Sequence, residues 1–412
     1  MSTRVYVHIG LPKTGTTFLQ ATMWEGRDAL AEAGCLIPGE RRPSAWWAAS
    51  DLLGRRPRGS QGRKIPGAWD AVATQLREWP GGRAIFSEEL LSIANRRQVR
   101  KLVDDLGDSE VHAVVTVRDL GRVLPSLWQQ EIRKGRTWTW PEFLASVRDP
   151  QQGSVTAAAA FWMRFDLDKV LGAWAAELPP ERIHVVVLPA HGSPSSILLE
   201  RFARAVDLDP ALLAAAAPTH RSNPALGADE VEVLRRLNLR LADSLNERQY
   251  VRVVVNGVIP ALEARTGSTR VQIPAEHRDW LDATSAALVE SLRSSSYDVI
   301  GDLDDLTPAP AGTGRRPDEA SADEMLDAAL HGLATLAEEH AKLWWERPED
   351  RPGAGDTDSG KRPPLRSRLR ATRFAIRRRL MSMADRHSVV AWPMNAYVRL
   401  RTARRRRAAS RS

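Results

Sequence analysis

The sequence predicts an α/β protein whose parallel sheet is flanked by helices and followed by a helical C-terminal extension and a basic tail. Three observations carry that expectation. Ala84 to Ser87 (AIFS), His112 to Val117 (HAVVTV) and Ile183 to Leu188 (IHVVVL) are apolar nearly throughout rather than alternating, as in strands buried on both faces. Stretches of helical period separate them, which is the alternation a covered parallel sheet needs. The chain opens on β-rich residues from Arg4 to Gly10, then the turn residues Pro12 and Gly15, then a helical pattern from Thr16 to Gly34.

In such sheets ligands bind outside the carboxyl ends of the strands. The loop after Ile9, the residues after Phe86 and those after Val117 are therefore expected at one mouth. Residues 40 to 66, rich in Arg, Pro, Gly and Ser, read as a surface insertion. Asn95 is expected to cap one helix, and another follows Asp119 to about Lys134. Further helices are expected over Phe161 to Leu178, Asp229 to Asn246 and Ala275 to Ser294. The expected organisation is a domain over 1–305, a linker over 306–320, a helical extension over 321–346, a flexible linker over 347–364 and an amphipathic or disordered basic tail over 365–412. Ser321 and Glu324 have capping-box spacing at the start of the extension.

The 412 residues are 43% hydrophobic and 27% charged, which excludes wholesale disorder. The formal net charge of +8 is uneven, since residues 360–412 carry +16 and the remainder −8. Basicity thus belongs to the tail, and with no aromatic interleaving or reader module no nucleic-acid partner is expected. Leu365, Leu369, Thr372, Ile376, Leu380 and Met383 recur at helical spacing with Arg on the other face. Three readings of this segment stay open: peripheral contact with an anionic membrane, binding to an acidic patch on the body, or disorder. The one cysteine, Cys35, excludes an internal disulfide and a Cys-based zinc cage, and reads as a small core residue. No signal peptide or apolar span of about 18 residues is visible. The expected location is the cytoplasm, with the inner face of the membrane as the site of any peripheral contact.

Gly10-Leu-Pro-Lys-Thr-Gly15-Thr-Thr17 has the GxxxxG spacing of a P-loop-type phosphate-binding loop, between a strand and a helix. Its amides and the helix N-terminus would face an anion. The nucleotide-kinase form places Lys directly after the second Gly, where it reaches the β and γ phosphates. Here Thr16 stands there, and the lysine is inside the loop as Lys13. A donor without a γ-phosphate, such as a phosphosulfate, does not need the longer reach.

The string Pro12, Lys13, Gly15, Thr16, Thr17, Leu19 resembles the PKxGTTxL loop of the sulfotransferases that use 3′-phosphoadenosine-5′-phosphosulfate (PAPS). The resemblance implies that Lys13 steadies the leaving phosphate, and that Thr16 and Thr17, with the loop amides around Pro12, Thr14 and Gly15, hold the 5′-phosphate. That family also binds the 3′-phosphate with an Arg at a strand end and a Ser eight residues on. Arg118 and Ser126 have this spacing in VRDLGRVLPS, although Leu120 follows Arg-Asp where many members have Pro. Pro125 is expected to kink or delay the helix.

Ser87-Glu88-Glu89-Leu90-Leu91 resembles the Ser-Ser-Glu-x-Leu segment of bacterial and glycan members, which implies Glu89 as the base, with Glu88 the fallback. His8 reads as a satisfied core residue, and His112 lies away from the mouth. Trp128, Gln129, Gln130, Lys134, Trp138 and Trp140 read either as an acceptor face for sugars or lipid head groups or as helix packing. Arg221 and Asn223 are candidates to close over the nucleotide. The expected activity is sulfuryl transfer from PAPS to a hydroxyl or amine of a small-molecule, glycan or lipid acceptor. No metal is expected, since no dedicated Mg²⁺-binding carboxylate is evident. A P-loop metabolite kinase and a non-catalytic nucleotide-binding scaffold acting at membranes through the tail remain as alternatives.

Overall fold

The computed structural model describes residues 3–55, 64–218, 226–242, 244–310 and 314–346, with side chains to Lys342. Arg221, Asn223, the 347–364 linker and the 365–412 tail lie outside the described residues. The chain divides into two compact units, 1–339 and 340–412. Of the second, only the end of a helix is described.

Six strands form an all-parallel sheet: β1 (Arg4–His8), β2 (Cys35–Leu36), β3 (Arg83–Ser87), β4 (Glu110–Val117), β5 (Ile183–Val187) and β6 (Asp298–Ile300). Their order is β2-β3-β1-β4-β5-β6. The chain runs to one side of β1 for β2 and β3, then crosses it for β4, so the strand order switches at β1. A crevice forms at the carboxyl end of such a switch point. His8 is in register with Ser87 on one side and Val114 on the other, which brings the ends of the three central strands together as expected.

Alternate side chains of a strand point to opposite faces. Val5, Val7, Phe86, Ala113, Val115 and Val185 therefore join one buried cluster, while Tyr6, Ile85, Val114, Val186 and Ile300 join another. The second face is covered by the helices Thr16–Glu25, Ser195–Ala205 and Pro210–Ala216, through Leu19, Met23, Leu198, Phe202 and Leu213. Apolar side chains on both faces are what make these strands read as continuous apolar runs.

The expected helix over 16–34 is two, Thr16–Glu25 and Arg27–Glu32, separated at Gly26. A Cβ on Gly26 would lie 2.6 Å from Cβ of Ala216, so the break sits where another helix approaches most closely. The 40–66 segment is not simply a surface insertion. Ser44–Leu52 is a helix that buries Ala48, Ala49 and Leu52 and packs on the helix Ala68–Glu78. The 161–178 helix is also two, Val155–Phe165 and Leu167–Ala175, the second capped by Asp166. Strands β2 and β6 were not expected, being two and three residues long and too short to show a period.

The stretch expected as a linker over 306–320 is stitched to the domain in its described part. Val271 and Arg315 form a parallel bridge, Gln272 N donates to Arg315 O at 3.0 Å, and Arg278 donates to the carbonyls of Pro308 and Ala309. Arg315 is ion-paired with Asp229. Edge pairing and ion pairs convert a composition typical of a linker into an ordered connection. The helix Ala322–Glu346 follows, with the expected capping box between Ser321 and Glu324. No helix among the described residues is long and apolar enough to cross a membrane.

Phe202 is fully buried, and its ring meets His8 edge-on at 5.1 Å between centroids. Phe202→Ala should cost about 3–5 kcal/mol through lost burial and a cavity under the sheet. Urea denaturation monitored by tryptophan fluorescence measures this as a lowered midpoint.

Candidate functional site

The loop between β1 and the first helix is built from left-handed residues: Gly10 at φ 54°, Lys13 at φ 70° and Gly15 at φ 80°. Gly10 has no substitute, since a Cβ there would stand 2.4 Å from Cγ2 of Thr16 in addition to the strained φ. Lys13 is the informative one, because a non-glycine residue in this region costs about 1–3 kcal/mol and persists only where its surroundings hold it.

Those surroundings are a continuous chain of hydrogen bonds. Thr14 is fully buried, and its Oγ1 contacts Leu11 O at 2.5 Å, Leu11 N at 3.2 Å and Thr116 Oγ1 at 2.7 Å. His8 joins them, with Nε2 at 3.3 Å from Thr116 Oγ1 and Nδ1 at 2.7 Å from Ser87 Oγ. The carbonyl of Leu11 only accepts, which fixes every direction in the chain. Thr14 donates to Leu11, Thr116 to Thr14, His8 Nε2–H to Thr116, and Ser87 to His8 Nδ1. His8 is then the neutral Nε2–H tautomer, and full burial agrees by lowering its pKa to about 3. β3, β1 and β4 are thereby tied to the floor of the loop. Three polar residues on one face of otherwise apolar strands were the sequence signal for this chain, but which of them meet depends on strand order.

Thr16 is buried, and its hydroxyl donates to Glu89 Oε2 at 2.8 Å. Thr17 is exposed in the first turn, and Pro12 is buried beneath the loop. Gly15 begins the helix with no side chain capping it, which leaves first-turn amides for an anion.

Positive charge converges on this loop. Burial lowers the Lys13 pKa, and Arg133, Lys134 and Arg118 lower it further against the opposing pull of Glu89. Arg118 Nη1 donates to the carbonyl of Lys13 at 3.0 Å, and its buried Nε has no hydrogen-bond partner among the described residues. Burial, then Arg122, pushes the Arg118 pKa down to about 10. Asp119 does not pair with Arg118. It caps the helix Leu120–Arg133 by accepting from Arg122 N at 3.0 Å, and it is ion-paired with the Arg122 side chain.

Pro125 lies inside that helix and does not delay it, because Asp119 has already fixed the start and the proline costs only the bond to the carbonyl four residues back. Ser126 follows in the helix, half-buried, with its hydroxyl bonded to no described residue.

The residues considered for an acceptor face are mainly packing. Trp128 and Trp140 are buried with centroids 5.3 Å apart, and their indole N–H groups donate to the carbonyls of Trp138 and Gln272. Gln129 donates to Leu226 O at 3.0 Å, and Lys134 pairs with Glu131 at 2.8 Å. Gln130 keeps a buried Oε1 without a partner among the described residues. His112 lies toward the amino end of β4, where it meets His184 at 2.9 Å and Glu110 at 3.0 Å, away from the loop as expected.

Glu88 and Glu89 stand at the end of β3. The Glu88 amide donates to His8 O at 3.0 Å, which locks this segment beside β1, and its Oε1 accepts from Leu90 N at 3.1 Å. Burial pushes the Glu88 pKa up to about 7, opposed by the Leu90 N–H and helped by Glu89. The assembled site offers loop amides and cations for an anionic group, beside a pair of carboxylates able to take a proton. No family model, curated protein or solved structure matches this chain.

The lowered pKa of His8 makes the loop floor sensitive to acid. Folded His8 binds fewer protons than unfolded His8 between about pH 6.5 and 3, so its contribution is complete above about 6.5 and is lost as pH falls toward 3. Wild-type stability should fall with acidification in that window by up to about 1.4 kcal/mol per pH unit from this residue. Urea midpoints collected from pH 7 to 4 should show a shallower slope for His8→Asn.

Proposed function

We propose that this chain is a sulfotransferase that moves a sulfuryl group from PAPS to an acceptor hydroxyl or amine. The observation that carries the reading is the pairing of two cationic elements across β1 and β4. Lys13 sits inside a GxxxxG loop, and the Arg118 guanidinium touches that loop while the neighbouring Asp119 is ion-paired with Arg122 instead. A planar guanidinium with a buried N–H that pairs with no described residue suits a phosphate monoester. The switch point at β1 and the resemblance of PKTGTT to the family's phosphosulfate loop add support. Thr16 is spent on Glu89 rather than replaced by the lysine of a kinase loop, which favours a donor without a γ-phosphate.

In this reading the 5′-phosphosulfate lies over the loop amides beside Lys13, and the 3′-phosphate is held by Arg118 with Ser126. The acceptor O–H proton passes to a carboxylate of the Glu88–Glu89 pair as the oxygen bonds to sulfur. The bond from sulfur to the bridging oxygen breaks, and the electron pair leaves with the 5′-phosphate, whose growing charge Lys13 offsets. The helix N-terminus and exposed Thr17 complete the anion site.

Calorimetric titration with adenosine 3′,5′-bisphosphate, with ATP·Mg²⁺ in parallel, tests the donor class. Wild type should bind the bisphosphate with micromolar affinity, and Arg118→Ala should weaken it about tenfold to hundredfold, as loss of a charged hydrogen-bonding partner predicts. Tight ATP binding with no response to the bisphosphate would overturn the reading in favour of a kinase.

A further inference from the structure

The two adjacent carboxylates do different work. Glu89 belongs to the donor loop: its Oε2 accepts from Thr16, and its Cβ would stand 3.3 Å from a Cβ built on Gly10. Glu88 instead lines a cavity of about 70 Å³ between the first helix and the end of β3. The apolar wall of that cavity includes Met23 and Trp24 of the first helix and Ile37 after β2, and its polar groups include Gln20, Arg42 and Glu88.

At about 10–15 Å³ of this space per water, each water taking about 30 Å³ of liquid, the cavity admits on the order of five waters, or roughly 150 Å³ of occupant, the size of one small ring. Arg42 is exposed at this cavity and forms no ion pair with any described residue. Gln20 reaches only the Ser87 carbonyl, at 3.4 Å through Nε2. One carboxylate oxygen of Glu88 accepts from Leu90 N, and its other oxygen accepts from no described residue.

We infer that this cavity is the acceptor subsite, that it takes a small hydroxylated ring bearing a carboxylate, and that Glu88 receives the acceptor's proton. The inference rests on the sulfotransferase reading. The ring packs against Trp24, Met23 and Ile37, its carboxylate meets Arg42, and its hydroxyl points at Glu88. As the hydroxyl oxygen bonds to sulfur, its proton moves to the Glu88 carboxylate. The sulfur–bridging-oxygen bond breaks, and the electron pair departs on the 5′-phosphate beside Lys13. Burial adds to the assignment by bringing Glu88 to about 7, where a base works well at neutral pH. Glu89, bound to Thr16, instead keeps the donor loop in shape.

The test uses the full chain saturated with adenosine 3′,5′-bisphosphate and 4-hydroxybenzoate as the probe, titrated by calorimetry. Wild type should bind the probe. Arg42→Ala should weaken it tenfold or more while leaving the neutral 4-methylphenol unaffected, and Ala45→Trp, which fills the cavity, should abolish both. Bisphosphate affinity should be the same in all three proteins. With labelled PAPS and the same probe, Glu88→Gln should lose at least a hundredfold in turnover with both affinities retained, as loss of a general base predicts. Glu89→Gln should instead weaken bisphosphate binding. Bisphosphate binding without probe binding, or probe binding indifferent to Arg42→Ala and Ala45→Trp, overturns the subsite alone. Absence of bisphosphate binding overturns the donor reading and this inference with it.

Discussion

A neutral histidine on the middle strand holds the candidate site together. His8 accepts from Ser87 on β3 and donates to Thr116 on β4, and Thr116 in turn reaches Thr14 inside the loop. Buried polar groups cost stability unless paired, and a fully connected chain is worth more than its separate bonds. With every donor and acceptor along it matched, the loop floor has one arrangement. The left-handed turn at Lys13 is held above it, with the Lys13 carbonyl accepting from Arg118. The fixed shape of the loop is a consequence of that chain.

Around this fixed loop, acids are placed so that the cations nearest its centre keep their charge for a ligand. Asp119 pairs with Arg122, Glu131 with Lys134, and Glu263 with Arg133. Lys13 and Arg118 form no salt bridge with a described residue, and burial lowers the pKa of both. An anion arriving there relieves desolvation and repulsion together, which gives a physical basis for selecting a doubly charged ligand. Glu88 and Glu89 extend the same logic. Glu89 is tied to the loop through Thr16, and Glu88 lines a small cavity.

Much of the fold was legible because apolar strands and helix signals are local. Asn95 and Ser321 cap their helices at the predicted places, and the four longer strands fall where continuous apolar runs stand. The very short β2 and β6 carry no period, so only their neighbours in the sheet define them. The 306–320 segment has the composition of a linker, yet Arg315 bonds to Arg270 and Asp229, partners more than 40 residues away that no local pattern reveals. Trp128 and Trp140, whose sequence context also suits a binding face, are buried against each other.

The sequence by itself determined the residue types and spacings of the site: a Lys inside a GxxxxG loop, an Arg at the end of an apolar strand, and paired acids at the end of another. These are properties of neighbouring residues, and local backbone preference is enough to place each at a strand end. Only the tertiary structure decided which of them act on one another. The order β2-β3-β1-β4-β5-β6 puts Glu89 on Thr16, Arg118 on the Lys13 carbonyl and His8 between Ser87 and Thr116. It also decided burial, and with it the neutrality of His8 and the different surroundings of two adjacent glutamates. Desolvation and long-range pairing belong to the packed chain, and no window of sequence contains them.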